Sequence, residues 1–65
     1  MKVREIVREL EDDGWELTRQ GGSHRQFRHP TKPGTVTVPG DLAAELAKGT
    51  VACIVLQAGL SRRQR

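Results

Sequence analysis

At 65 residues the chain makes one small domain, which buries roughly 60% of its unfolded surface and keeps a thin stability margin. Hydrophobic residues at 35% and charged residues at 29% suit a packed core rather than a disordered chain, and one Trp, one Phe and no Tyr exclude an aromatic stacking platform as the main binding device. The formal net charge of +3 is unevenly spread: Glu5, Glu9, Glu11, Asp12, Asp13 and Glu16 crowd the start, whereas Leu17 to Gly40 carries Arg19, Arg25, Arg28 and Lys32 and no carboxylate, a pattern that fits a face for a polyanion and equally an ordinary solvated surface.

The opening Met1-Lys2-Val3-Arg4-Glu5 mixes charges and lacks the charged-then-apolar order of a leader. Val3, Ile6, Val7 and Leu10 fall at i, i+3, i+4 and i+7, which predicts a helix over about residues 2–13. Gly14 closes it as a C-terminal glycine does. Trp15 to Gln20 alternates apolar and polar residues, predicting a first strand with Trp15 and Leu17 on a buried face. Gly21-Gly22 marks a tight hairpin turn, and Ser23 to His29 return antiparallel. With Phe27 in the core, side-chain alternation turns His24, Gln26 and Arg28 to the other face and leaves His29 on the Phe27 side, where it shapes the following turn.

Pro30-Thr31-Lys32-Pro33-Gly34 is a loop, because its prolines fix φ and withhold donors. Thr35 to Val38 predicts a third strand burying Val36 and Val38, closed by Pro39-Gly40. Asp41 to Ala47 predicts a short helix capped by Asp41, with Leu42 and Leu46 on one side. Thr50 is the expected N-cap of a last helix running through Ala58 and stopped by Gly59, with Val51, Ile54, Val55 and Ala58 as its buried stripe. Cys53 falls among these residues as a small inert side chain. One cysteine forms no internal disulfide and, with two histidines, builds no metal site, so a reducing cytosolic setting is the simplest reading. No run of about 18 apolar residues is present to span a membrane. Residues 1–60 are expected to form the single domain and 61–65 a basic, mobile tail. The order helix, three strands, helix predicts an α+β fold: a three-stranded antiparallel sheet with both helices on one face and the other face open.

Within that frame His24 is the candidate for chemistry. Cleaving an RNA phosphodiester needs a proton taken from a 2′-OH, charge neutralised on the phosphate and a proton given to the leaving oxygen. Histidine suits either proton transfer, since its ordinary pKa lies near neutrality. Arg19, Arg25, Arg28 and Lys32 lie near it in the sequence. Arg28, Lys32 and Arg25 are the expected phosphate ligands, with Arg25 disfavoured by alternation. Gly22 and Ser23 add exposed backbone N–H groups and a hydroxyl. The plainer alternative is a surface histidine in a polar strand. Gly21-Gly22-Ser23 is too short for a nucleotide-binding loop, and no nucleophile elbow surrounds Ser23.

Arg19-Gln20-Gly21-Gly22-Ser23-His24, Phe27-Arg28-His29-Pro30, Thr37-Val38-Pro39, Gly49-Thr50-Val51, and Ile54 with Gln57-Ala58-Gly59-Leu60 resemble, in order and spacing, the motifs of the HicA mRNA interferase toxins. The resemblance covers nearly the whole chain. It implies an α-β-β-β-α fold like that of double-stranded-RNA-binding domains. It also implies a metal-independent endoribonuclease that cuts mRNA to block translation, with the histidine of Gly-Ser-His, here His24, as the catalytic residue. A HicB-type antitoxin that covers the active site is the implied partner. The chain departs from the family pattern at Gly40-Asp41, where many members carry a second histidine, and at Leu56, where many carry a basic residue. The other functional classes to weigh are a noncatalytic RNA-binding module on the same fold and a pure interaction subunit.

Overall fold

The computed structural model describes residues 1–60, so the expectation attached to the tail at 61–65 lies outside the described residues. Helix α1 (Val3–Asp12) forms where the apolar spacing predicts it, and Val3, Ile6 and Leu10 are fully buried along one stripe. Each such side chain contributes about 1.5–3 kcal/mol by leaving water. Its C-terminus closes in a Schellman motif. Gly14 takes φ +104°, its N–H donates to Glu11 O at 3.0 Å, and Trp15 N–H donates to Leu10 O at 2.9 Å. A side chain at position 14 would also collide with His29, whose Nε2 lies 2.8 Å from where a Cβ would stand.

Three strands follow, β1 (Glu16–Gly21), β2 (His24–Arg28) and β3 (Thr35–Val38), paired antiparallel in the order β1-β2-β3. Gly22, at φ +57°, and Ser23 make the two-residue turn between β1 and β2. Phe27, Val36 and Val38 are buried with Trp15 and the α1 stripe in one core, on the sheet face that the helices cover.

Helix α2 (Lys48–Ala58) packs against β3 and contributes Ile54 and Ala58 to the core, with Val51 and Val55 half-buried beside them. Gly59, at φ +60°, ends it, and Leu60 N–H donates back to Val55 O. The two helix ends meet: Trp15 Nε1–H donates to Ala58 O at 3.3 Å. The element order, helix, three antiparallel strands and helix, is the α+β arrangement expected. Among the described residues no helix is long and apolar enough to cross a membrane.

Four expectations need correction. Leu17 pairs with Phe27 and so shares its face, but it stays 46% exposed because β1 is the sheet edge and its main neighbour is β2. The segment from Asp41 to Ala47 is not a helix. Its carbonyls instead cap α1, with Val3 N–H donating to Ala44 O at 2.9 Å and Arg4 N–H to Leu42 O at 3.0 Å, while Lys2 and Glu45 form a β-bridge. Seven residues make a costly helix nucleus, and satisfying two orphan donors of a ten-residue helix outweighs it. Helix α2 begins at Lys48, after Ala47, rather than after Thr50. Cys53 is exposed, on the side of α2 away from Ile54 and Ala58.

Candidate active site

Alternation along β2 governs what faces solvent. The pairings Glu16 with Arg28, Gln26 with Thr37 and Arg28 with Thr35 assemble an open face from Glu16, Arg28, Gln26, Thr35 and Thr37, with His24 at its hairpin end. His24 is exposed, and among the described residues its side chain has no hydrogen-bond or ion-pair partner. Its cross-strand partner is Gly21, and among the described residues nothing lies within 4 Å of where a Cβ there would stand. The imidazole therefore has open space on its β1 side. Gly22 and Ser23 turn the chain directly before it, so the backbone and hydroxyl expected beside the histidine adjoin it in the hairpin.

Two of the expected phosphate ligands are engaged elsewhere. Arg25 lies on the helix-covered face, opposite Gln20 and Val38, and its guanidinium donates to Gly40 O at 2.9 Å. Lys32 turns toward the helix ends: its ammonium donates to Asp13 Oδ2 at 2.5 Å, to Ala58 O at 3.0 Å and to Gly59 O at 2.9 Å. An ammonium has three N–H donors, and all are spent there. The hydrogen bond and charge of Lys32 hold the Asp13 carboxyl below its ordinary value of 3.8. The cation also complements the exposed carbonyls at the end of α2. Arg28 does share the face of His24, but four residues of strand separate them by about 13 Å, and Glu16 stands opposite it.

His29 is a structural residue. Its Nδ1 accepts the backbone N–H groups of Thr31 and Lys32, each at 3.1 Å, which places the ring proton on Nε2, and Nε2–H donates to Asp13 O at 2.7 Å. The ring lies edge-on to Trp15, with centroids 5.3 Å apart, and its side chain is 10% exposed.

Sequence alternation missed one feature. The pairing shifts between Leu17 and Arg19, leaving Thr18 bulged, so Arg19 pairs with Gln26 and joins the open face. Nothing in Leu-Thr-Arg-Gln marks a bulge, since it carries no glycine. Two surface recesses, one lined by Met1, Leu46, Val51, Val55 and neighbours and one along α1, include none of the open-face residues. Among the described residues no group of three or more His, Cys, Asp or Glu is arranged to hold a metal ion.

A family model described as the HicA toxin of bacterial toxin-antitoxin systems matches residues 3–60. A solved structure described as a toxin-antitoxin complex from Streptococcus pneumoniae holds a chain 36% identical in sequence. The alignment covers 92% of this chain and 98% of that one, with a TM-score of 0.75. No curated protein matches the sequence. Matched over nearly its whole length, and with the helix, three strands and helix in the expected order, the chain belongs to the HicA toxin family of toxin-antitoxin systems.

Proposed function

We propose that this chain is an endoribonuclease toxin that cleaves mRNA and blocks translation in the cytoplasm, with His24 as its catalytic residue. The observation that carries the reading is the exposed His24 on the helix-free face, its side chain without a partner among the described residues, opposite a glycine that leaves room beside the ring. A polymer laid across an open sheet reaches such a group, whereas a small substrate needs enclosure to bind well.

In the proposed reaction the 2′-oxygen attacks the adjacent phosphorus as its proton departs. The bond from phosphorus to the 5′-oxygen breaks, and that oxygen takes up a proton. The products are a 2′,3′-cyclic phosphate and a 5′-hydroxyl end. His24 carries one of the two protons, as general base or general acid, a contribution worth about 10²–10⁴-fold. The Gly22 backbone N–H and the Ser23 hydroxyl flank the phosphate, and Arg28 contacts the strand farther along. Arg25 and Lys32 brace the scaffold under this reading. A HicB-type antitoxin is the proposed partner, covering this face and withholding it from RNA.

The test is cleavage of a mixed-sequence RNA by the purified chain in excess EDTA, compared with the same strand carrying 2′-deoxyribose at the mapped cut. Cleavage of the first and resistance of the second are expected. Cutting of the deoxy-substituted position, or dependence on a divalent cation, would contradict the mechanism. In cells, expression is expected to arrest growth until the antitoxin is co-expressed.

A further inference from the structure

The geometry points to Arg19 as the residue that holds the scissile phosphate beside His24, delivered to that face by the bulge at Thr18. The inference rests on the ribonuclease reading and names the cationic partner that reading lacks.

Residues paired directly across antiparallel strands share a face. Leu17 pairs with Phe27, on the helix-covered side, and an unbroken alternation would carry Arg19 to that side with it. The extra residue prevents this. After the bulge Arg19 pairs with Gln26, Gln20 with Arg25 and Gly21 with His24, so Arg19 and His24 lie on one face of adjacent strands. Thr18 is held in its bulged place by its own hydroxyl, which donates to Gln26 O at 3.2 Å. Bulges re-aim side chains in this way beside active sites.

Arg19 is therefore the diagonal neighbour of His24, at about 7–8 Å between backbones, a gap that a long side chain spans. Arg28 is about 13 Å along the strand and has a carboxylate, Glu16, across from it. Arg19 has neutral Gln26 across from it, and the residue across from His24, Gly21, has no side chain. Of the four cations between Leu17 and Gly40, Arg25 and Lys32 are hydrogen-bonded to the scaffold. The Arg19 side chain is exposed and, among the described residues, has no hydrogen-bond or ion-pair partner. A guanidinium in that position reaches the phosphate whose 2′-OH or leaving oxygen His24 serves, and its fork matches two phosphate oxygens.

The test has two arms. Binding of a 2′-O-methyl single-stranded RNA of mixed sequence, which lacks the nucleophile, is measured against salt for wild type, Arg19→Gln, Arg19→Lys, and Arg19→Gln combined with either Gln26→Arg or Gln20→Arg. Arg19→Gln is expected to lower the slope of log K against log salt by about 0.7, the value for one phosphate contact on a single strand. Arg19→Lys keeps the slope, Gln26→Arg on the same face restores it, and Gln20→Arg on the opposite face does not. In cleavage of unmodified RNA, Arg19→Gln is expected to lower kcat about 10²-fold, whereas Arg28→Gln raises KM and leaves kcat near wild type. A wild-type slope and kcat in Arg19→Gln, or equal restoration by Gln20→Arg and Gln26→Arg, would overturn the assignment of Arg19. A wild-type chain that neither binds nor cuts RNA would overturn the ribonuclease reading and this inference together.

Discussion

His24 opens β2 and His29 directly follows its last residue, and the sheet divides their fates. At His29 both ring nitrogens are committed, one to Asp13 O and one to the N–H groups of Thr31 and Lys32, with Trp15 against the ring. At His24 neither nitrogen has a partner among the described residues, and the space opposite is empty. The same imidazole is a structural clasp where its hydrogen bonds are spent, and it is the proposed reagent where they are free. The division extends to the cations. Lys32 and Arg25 are tied to backbone carbonyls on the packed side, while Arg19 and Arg28 project on the open one. Changes on the packed side are thus expected to alter stability, and changes on the open side to alter chemistry.

The largest stability loss is expected from Gly14→Ala, which places a Cβ against His29 Nε2 and strains a backbone at φ +104°. A loss of about 3 kcal/mol follows from strain and overpacking together, read as a fall in Tm of roughly 12–24 °C for a domain of this size. His29→Ala comes next, at about 2 kcal/mol, since it removes ring packing against Trp15 and leaves the part-buried Asp13 O and Lys32 N–H unpaired. Cleavage by the folded fraction of either variant, measured well below its Tm, should stay within about threefold of wild type; a selective loss of kcat in folded His29→Ala would erase the distinction between the two histidines.

Lys32→Met is expected to cost about 1 kcal/mol, a charge-assisted cluster discounted for its partial exposure to solvent. It also has a pH signature. Asp13 has its pKa depressed below 3.8 chiefly by the hydrogen bond from Lys32. A carboxyl whose folded pKa is below its unfolded value contributes stability that is complete above the unfolded value and disappears as pH falls through the folded one. Glu45, depressed below 4.5 by the hydrogen bond from the N-terminal ammonium, acts in the same direction. Thermal unfolding followed from about pH 6 downward should therefore show wild type losing stability below the ordinary carboxyl range and Lys32→Met losing less. Equal acid sensitivity would remove the Asp13 contact from the account. The smallest effect is expected at Leu56, 81% exposed on α2, where Leu56→Gln should change stability by less than about 0.5 kcal/mol.

What the sequence made legible was local. The stripe Val3, Ile6, Leu10, the stop at Gly14, and the opposite facing of His24 and Phe27 each follow from periodicity or one glycine, and the structure has them so. What it hid depends on what lies across the fold. Leu17 faces the packed side, but its exposure depends on its strand being an edge. The segment from Asp41 to Ala47 carries helical spacing, but its carbonyls are claimed by α1. The bulge at Thr18 exists only in the pairing with β2, so no alternation rule applied to β1 alone places Arg19 on the open face. Of the candidate site, the position of His24 was readable, whereas the diversion of Arg25 and Lys32 to Gly40, Ala58 and Gly59 was set by contacts distant in sequence.

The central claim, that the open face is where RNA is cut and His24 cuts it, is tested most directly by assaying His24→Ala for RNA cleavage and thermal unfolding in the same preparation. The account predicts a Tm within about 4 °C of wild type, as for a surface substitution, with cleavage reduced about 10²–10⁴-fold. A folded His24→Ala that cleaves at the wild-type rate would contradict it.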